Sequence, residues 1–167
     1  MRRSYAAALG AAAVAAGLTA TAGAASADTN VVSASHQQVI NYVIQRALSQ
    51  RGVPYLYGGG NAAGPTHGTG LHANTVGFDA SGLVQYAFAG AGIKMPRTSG
   101  EQCNVGRKIL PAQARPGDLI CYGPGGSQSV AIYLGNGQMI EATEPAVTVS
   151  AARTTNMTPY LTRIIDS

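Results

Sequence analysis

Two periods run along this chain, helical in its first half and strand-like in its second. Val39, Ile40, Val43, Ile44, Ala47 and Leu48 recur at i, i+1, i+4, i+5, i+8 and i+9, which is one apolar face of a helix. Ser35 is placed to cap that helix, and the spacing predicts that it runs to about Gln50, where Arg51-Gly52 and then Pro54 stop it. A second stripe, Leu83, Val84, Ala87 and Phe88, follows Asp79, a good N-cap, and ends at Gly90-Ala91-Gly92. A short helix is expected from about Ser99 to Val105.

Beyond that point the period shortens. "RPGDLICYG" is a turn followed by an apolar strand, Asp118 to Tyr122. "SVAIYLGNGQMIEA" contains two β-like runs joined by Gly135-Asn136-Gly137, a strong hairpin signal. "AVTVSA" and "YLTRII" add two further strands. Helices first and an antiparallel sheet second is an α+β order. Between the first two helices, residues Val53 to Asp79 are rich in glycine and contain Pro54 and Pro65. So long a loop in a small domain is expected to be an ordered, functional rim, with Tyr55 and Tyr57 as aromatic anchors.

Charge and composition narrow the setting. Arg2 and Arg3, an Ala-, Leu- and Val-rich run from Tyr5 to about Ala22, and Ala25-Ser26-Ala27 have the layout of a secretory signal peptide. Residues 1–27 are therefore expected to be removed on export, leaving a domain of residues 28–167 in the cell wall or secreted. The net charge of +4 falls to +2 once Arg2 and Arg3 are set aside, too little to argue for nucleic acid. No second apolar run approaches membrane-spanning length, so no membrane contact is expected after cleavage.

Cys103 and Cys121 remain after cleavage. An oxidising compartment permits a disulfide between them; two buried thiols are the alternative, and spacing does not decide. His36, His67 and His72 show no metal-ligand spacing, so neither metal nor cofactor is expected.

Five segments, "GVPYLYGGGNAAGPT", "FDASGLVQYAF", "MPRTSGEQ", "PGDLICY" and "SVAIYLGNGQMIEA", stand in the order and spacing of the NlpC/p60 family, which the chain resembles over roughly Gln37 to Ile165. Among its members the chain looks most like a non-catalytic mycobacterial one. The resemblance implies a papain-like α+β fold, helices packed on an antiparallel sheet of about five or six strands. It also implies a peptidoglycan stem peptide as partner. Active members carry a cysteine where this chain has Ala80, a histidine where it has Ser129, and a third polar residue that matches Glu141. Of the triad only Glu141 is retained, and a methyl and a hydroxyl supply neither nucleophile nor general base.

The resemblance places substrate contacts at Tyr55, Asp79 and Ser81. Arg97 is a candidate for a stem carboxylate, or for a structural salt bridge. Ser129 and Glu141 complete the expected groove, made roomier by the small residues at positions 80 and 129. The expectation is a pseudoenzyme that binds peptidoglycan without hydrolysing it. The alternative is residual or relocated D-glutamyl–diaminopimelate endopeptidase activity, with Ser81 next to the nucleophile position.

Overall fold

The computed structural model describes residues 22–166, with side chains from residue 34 onward. Helix α1 spans Ala22–Leu48. It begins well before the expected cap at Ser35, because no proline interrupts residues 22 to 48. Ile40, Val43 and Ala47 form its buried stripe, as the pattern predicted. The expected leader falls largely on residues 1–21, outside the described residues. Among the described residues no helix is long and apolar enough to cross a membrane.

The glycine-rich segment is a shaped rim containing a small ladder, β1 (Thr66–His67) against β2 (Val76–Gly77). Helix α2 (Ala80–Ala89) starts where Asp79 caps it, the carboxylate accepting from the Gly82 amide. Helix α3 (Ser99–Gln102) is shorter than expected, capped at Thr98 and ending at Cys103. Then come β3 (Arg107–Ile109), β4 (Leu119–Tyr122), β5 (Ser129–Gly135), β6 (Gln138–Ala142), β7 (Val147–Ala151) and β8 (Leu161–Arg163). These six form one antiparallel sheet in the order β3-β8-β4-β5-β6-β7. The β5–β6 hairpin turns at Asn136 and Gly137, both with positive φ, as its sequence predicted.

Strand β4 explains how the layers form. All four of its residues are buried. Side chains alternate across a strand, so Leu119 and Cys121 join the main core with α1 and α2, while Ile120 and Tyr122 join a smaller core on the other face. The same alternation sends Val130, Ile132, Ile140 and Ala142 toward the helices, and Ala131 and Met139 away from them. Ser129 and Glu141 share the parity of Ala131 and Met139, so both belong to the second face.

Two polar contacts and one covalent cross-link hold the elements together. The Arg46 guanidinium lies 4.0 Å above the Tyr86 ring and donates to the Tyr86 carbonyl, holding α1 on α2. A buried pair joins Arg163 at the end of β8 to Asp118 before β4 through two hydrogen bonds of 2.8 Å. Cys103 and Cys121 form a disulfide, tying the end of α3 to β4 and deciding between the two readings of these cysteines.

Candidate binding cleft

The start of α2 points into a cleft of about 710 Å³. Ala80, Ser81, Asp79 and Arg97 line one wall, with Tyr55, Tyr57 and Gly58 at the rim. Ser129, Ala142, Thr143, Glu144 and Arg153 line the facing side. Of the residues expected at the site, Tyr55, Asp79, Ala80, Ser81, Arg97 and Ser129 are brought together here. Glu141 is not on the lining: it is 3% exposed and lies behind Arg153.

Asp79 has two tasks. One carboxylate oxygen accepts from the Gly82 amide at 2.7 Å, so the side chain caps the helix. Both oxygens also take the Arg97 guanidinium, at 2.9 and 3.0 Å. Arg97 further donates to the Ser81 hydroxyl at 2.7 Å and the Gly59 carbonyl at 3.0 Å. Arg97 is therefore a structural salt-bridge partner first, and Asp79 is a paired carboxylate. Ser81 lies 3.3 Å from an Asp79 oxygen. The backbone beneath is held by Gln102, fully buried, whose side-chain amide donates to the Ser81 and Pro96 carbonyls.

Burial pushes the Tyr55 phenol above its ordinary range, and the charges of Asp79 and Glu144 push it further. The Tyr55 phenol lines the cleft as a hydroxyl able to donate into it. Tyr57, expected as an anchor, is 91% exposed and packs no core; it stands where this cleft meets a neighbouring hollow lined by His67, Thr69 and His72.

The second polar cluster was missed by sequence reasoning. Glu141, expected as the retained triad member and part of the groove, holds Arg153 through two hydrogen bonds, the Nη2 contact at 2.8 Å. The guanidinium stacks 4.2 Å above the Tyr122 ring, and the Tyr122 hydroxyl donates to the Arg153 carbonyl at 3.0 Å. The hydrogen bond to Glu141 raises the Arg153 pKa above its ordinary value. Arg153 lies twelve residues past Glu141, in the coil after β7, with no local motif to mark it.

Both cysteines are consumed by the disulfide, which leaves no free thiol among the described residues. His67 and His72 are exposed on the rim, outside this cleft. Among the described residues no group of His, Cys, Asp and Glu is placed to hold a metal ion.

Comparison with known proteins gives the class. The NlpC/P60 family model matches residues 52–166. Peptidoglycan endopeptidase RipB of Mycobacterium tuberculosis is 55% identical over 160 residues, covering 95% of this chain and 65% of RipB. Its solved structure aligns with a TM-score of 0.77 at 58% identity, over 80% of this chain and 68% of that one. Peptidoglycan endopeptidase RipA of Mycolicibacterium smegmatis is 58% identical over 78% of this chain, which spans only 27% of RipA. A solved structure of RipD from Mycobacterium tuberculosis, described as a non-catalytic NlpC/p60 domain protein adapted to peptidoglycan binding, is 62% identical with a TM-score of 0.72. That alignment covers 75% of this chain and 97% of RipD's.

These relatives correct the expectation that the chain is a pseudoenzyme. That expectation rested on two positions, Ala80 and Ser129. The similarity runs through most of the chain, and RipB and RipA, at 55% and 58% identity, are named endopeptidases. The helices, the six-stranded antiparallel sheet and the match over residues 52–166 agree, and the chain belongs to the NlpC/P60 family.

Proposed function

We propose that the cleft seats the stem peptide of peptidoglycan, and that the chain works at the cell wall after export directed by residues 1–27. The observation that carries this reading is the fixed polar wall Asp79–Ser81–Arg97 at the start of α2, in a family whose relatives act on or bind peptidoglycan. Tyr55 offers a hydroxyl to the peptide's polar end, beside the Ser81 hydroxyl that Arg97 and Asp79 hold in place. Asp79 and Arg97 form a neutral but strongly polar pair beside them, and Ser129 faces the peptide from the sheet.

A second reading is hydrolysis of the D-glutamyl–diaminopimelate amide, favoured by the identity to RipB and RipA. Position 80 holds a methyl, so the attacking group in that case is another one. Ser81 is the hydroxyl beside a carboxylate, 3.3 Å from Asp79.

The test is incubation with purified, insoluble peptidoglycan. Protein in the pellet and muropeptides in the supernatant are both measured against a heat-denatured control. Pelleting supports the stem-peptide reading, and muropeptide release assigns the endopeptidase reading. Absence of both removes peptidoglycan as the partner.

A further inference from the structure

Arg153 has a set of properties the reading above does not use. It lines the cleft with its side chain 41% exposed. Its guanidinium is pinned on one side by the buried Glu141 carboxylate and on its flat face by Tyr122. An arginine has five N–H donors, and Glu141 takes two of them; among the described residues its side chain donates to no other acceptor. The remaining donors belong to a cation already desolvated on one face and fixed in place. It therefore gives up little side-chain entropy when a ligand arrives.

The electrostatics across the cleft are uneven. Tyr55 feels the negative charges of both Asp79 and Glu144. On the facing side Tyr122 lies under Arg153, and Ser129 is the cross-strand partner of Tyr122. Asp79 is balanced by Arg97 and Glu141 by Arg153, so the donor that the sheet side of the groove offers is the free edge of the Arg153 guanidinium. A peptide laid along the groove has a carboxylate favoured at that edge.

We propose that Arg153 is a specificity-determining residue that reads a free carboxylate on the bound peptide and discriminates against its carboxamide. This rests on the stem-peptide reading and names the ligand group that the sheet side of the cleft selects. A carboxylate accepts from two guanidinium N–H groups with charge assistance. A carboxamide offers one neutral oxygen and turns an NH₂ toward donors that cannot accept.

The test is calorimetric titration of the chain with two synthetic stem peptides, one with free carboxylates and one with those groups amidated. Wild type is expected to bind the free acid about tenfold or more tightly, with a preference that shrinks as salt is added. Arg153→Gln is expected to bind both forms alike. It leaves Glu141 buried without its cation and can lose stability, so Arg153→Lys is the second variant. Lysine keeps the charge for Glu141 but not the fork, and its preference should fall to a few-fold. An undiminished preference for the acid in folded Arg153→Gln or Arg153→Lys overturns this proposal alone. Binding of neither peptide by wild type overturns it together with the reading beneath it.

Discussion

Arg97 closes a two-point fork on Asp79, its Nη1 and Nη2 lying 2.9 and 3.0 Å from the two carboxylate oxygens, while the same carboxylate caps α2 at the Gly82 amide. One side chain therefore fixes where the helix begins and what charge the cleft wall shows. The two tasks are separable by mutation. Asp79→Ala removes the cap and the pair, and is expected to cost about 1–2 kcal/mol in denaturant unfolding, most of it from the cap. Asp79→Asn keeps an acceptor for Gly82 and loses only a partly exposed ion pair, which solvent screening holds to about 0.5 kcal/mol. Equal losses for the two would show that the pairing, not the cap, dominates.

The disulfide acts on the same wall through a short relay. Cys103 ends α3, its neighbour Gln102 holds the Ser81 carbonyl, and Ser81 lines the cleft. Cutting the cross-link restores chain entropy to the unfolded state over a loop spanning a sequence separation of 18 residues. The double change Cys103→Ala with Cys121→Ala is expected to lower stability by about 3 kcal/mol. It should also weaken peptide binding, since Gln102 loses its anchor. Peptide affinity unchanged in the folded double variant would separate α3 from the cleft.

How much of this was legible in the sequence follows from how local each signal is. The Asp79 cap and the Asn136-Gly137 hairpin were readable because each is decided within a few residues, by an orphan amide and by a positive-φ turn. Strand β3 was not. It is three residues long, it sits on the sheet edge, and Arg107 and Lys108 leave it no apolar alternation. Only its pairing with β8 makes it a strand. Ser129 comes from the resemblance, as the position where active members carry a histidine, and it lines the cleft. The partner of Glu141 is not legible, because it comes from the coil beyond β7, a contact that only tertiary folding creates. Of the two roles open to Arg97, the structure shows the salt bridge to Asp79.

The two phenols beside the cleft set an alkaline limit. Burial is the leading cause of the upward shift at both Tyr55 and Tyr122; Arg153 partly opposes it at Tyr122. A pKa raised by folding means that the unfolded chain ionises first. The associated stability is complete below the ordinary tyrosine range near ~10 and is lost as pH rises through the higher folded values. Tyrosinate absorbance of the native chain is therefore expected to lag that of the urea-unfolded chain. Tyr55→Phe should remove part of the lag. Superimposed native and unfolded titration curves would contradict the burial argument.

Gly82 offers a test in which local propensity and tertiary packing predict opposite signs. It lies inside α2, where alanine would ordinarily stabilise by about 1 kcal/mol. Yet a Cβ at this position would sit 2.2 Å from the Gly59 carbonyl oxygen and 3.0 Å from the Asp79 carboxylate. The first neighbour is backbone, and it is held from the other side by Arg97 at 3.0 Å, so it does not yield cheaply. Gly82→Ala is therefore expected to destabilise, the roughly 1–3 kcal/mol cost of overpacking outweighing the propensity gain of about 1 kcal/mol. It should also displace the Gly59 carbonyl from Arg97, loosening the fork on Asp79 and lowering affinity for stem peptide. Thermal unfolding with parallel peptide titration measures both effects. A more stable Gly82→Ala chain would mean that the rim at Gly59 moves freely, and that the wall of the cleft is set by helix propensity alone.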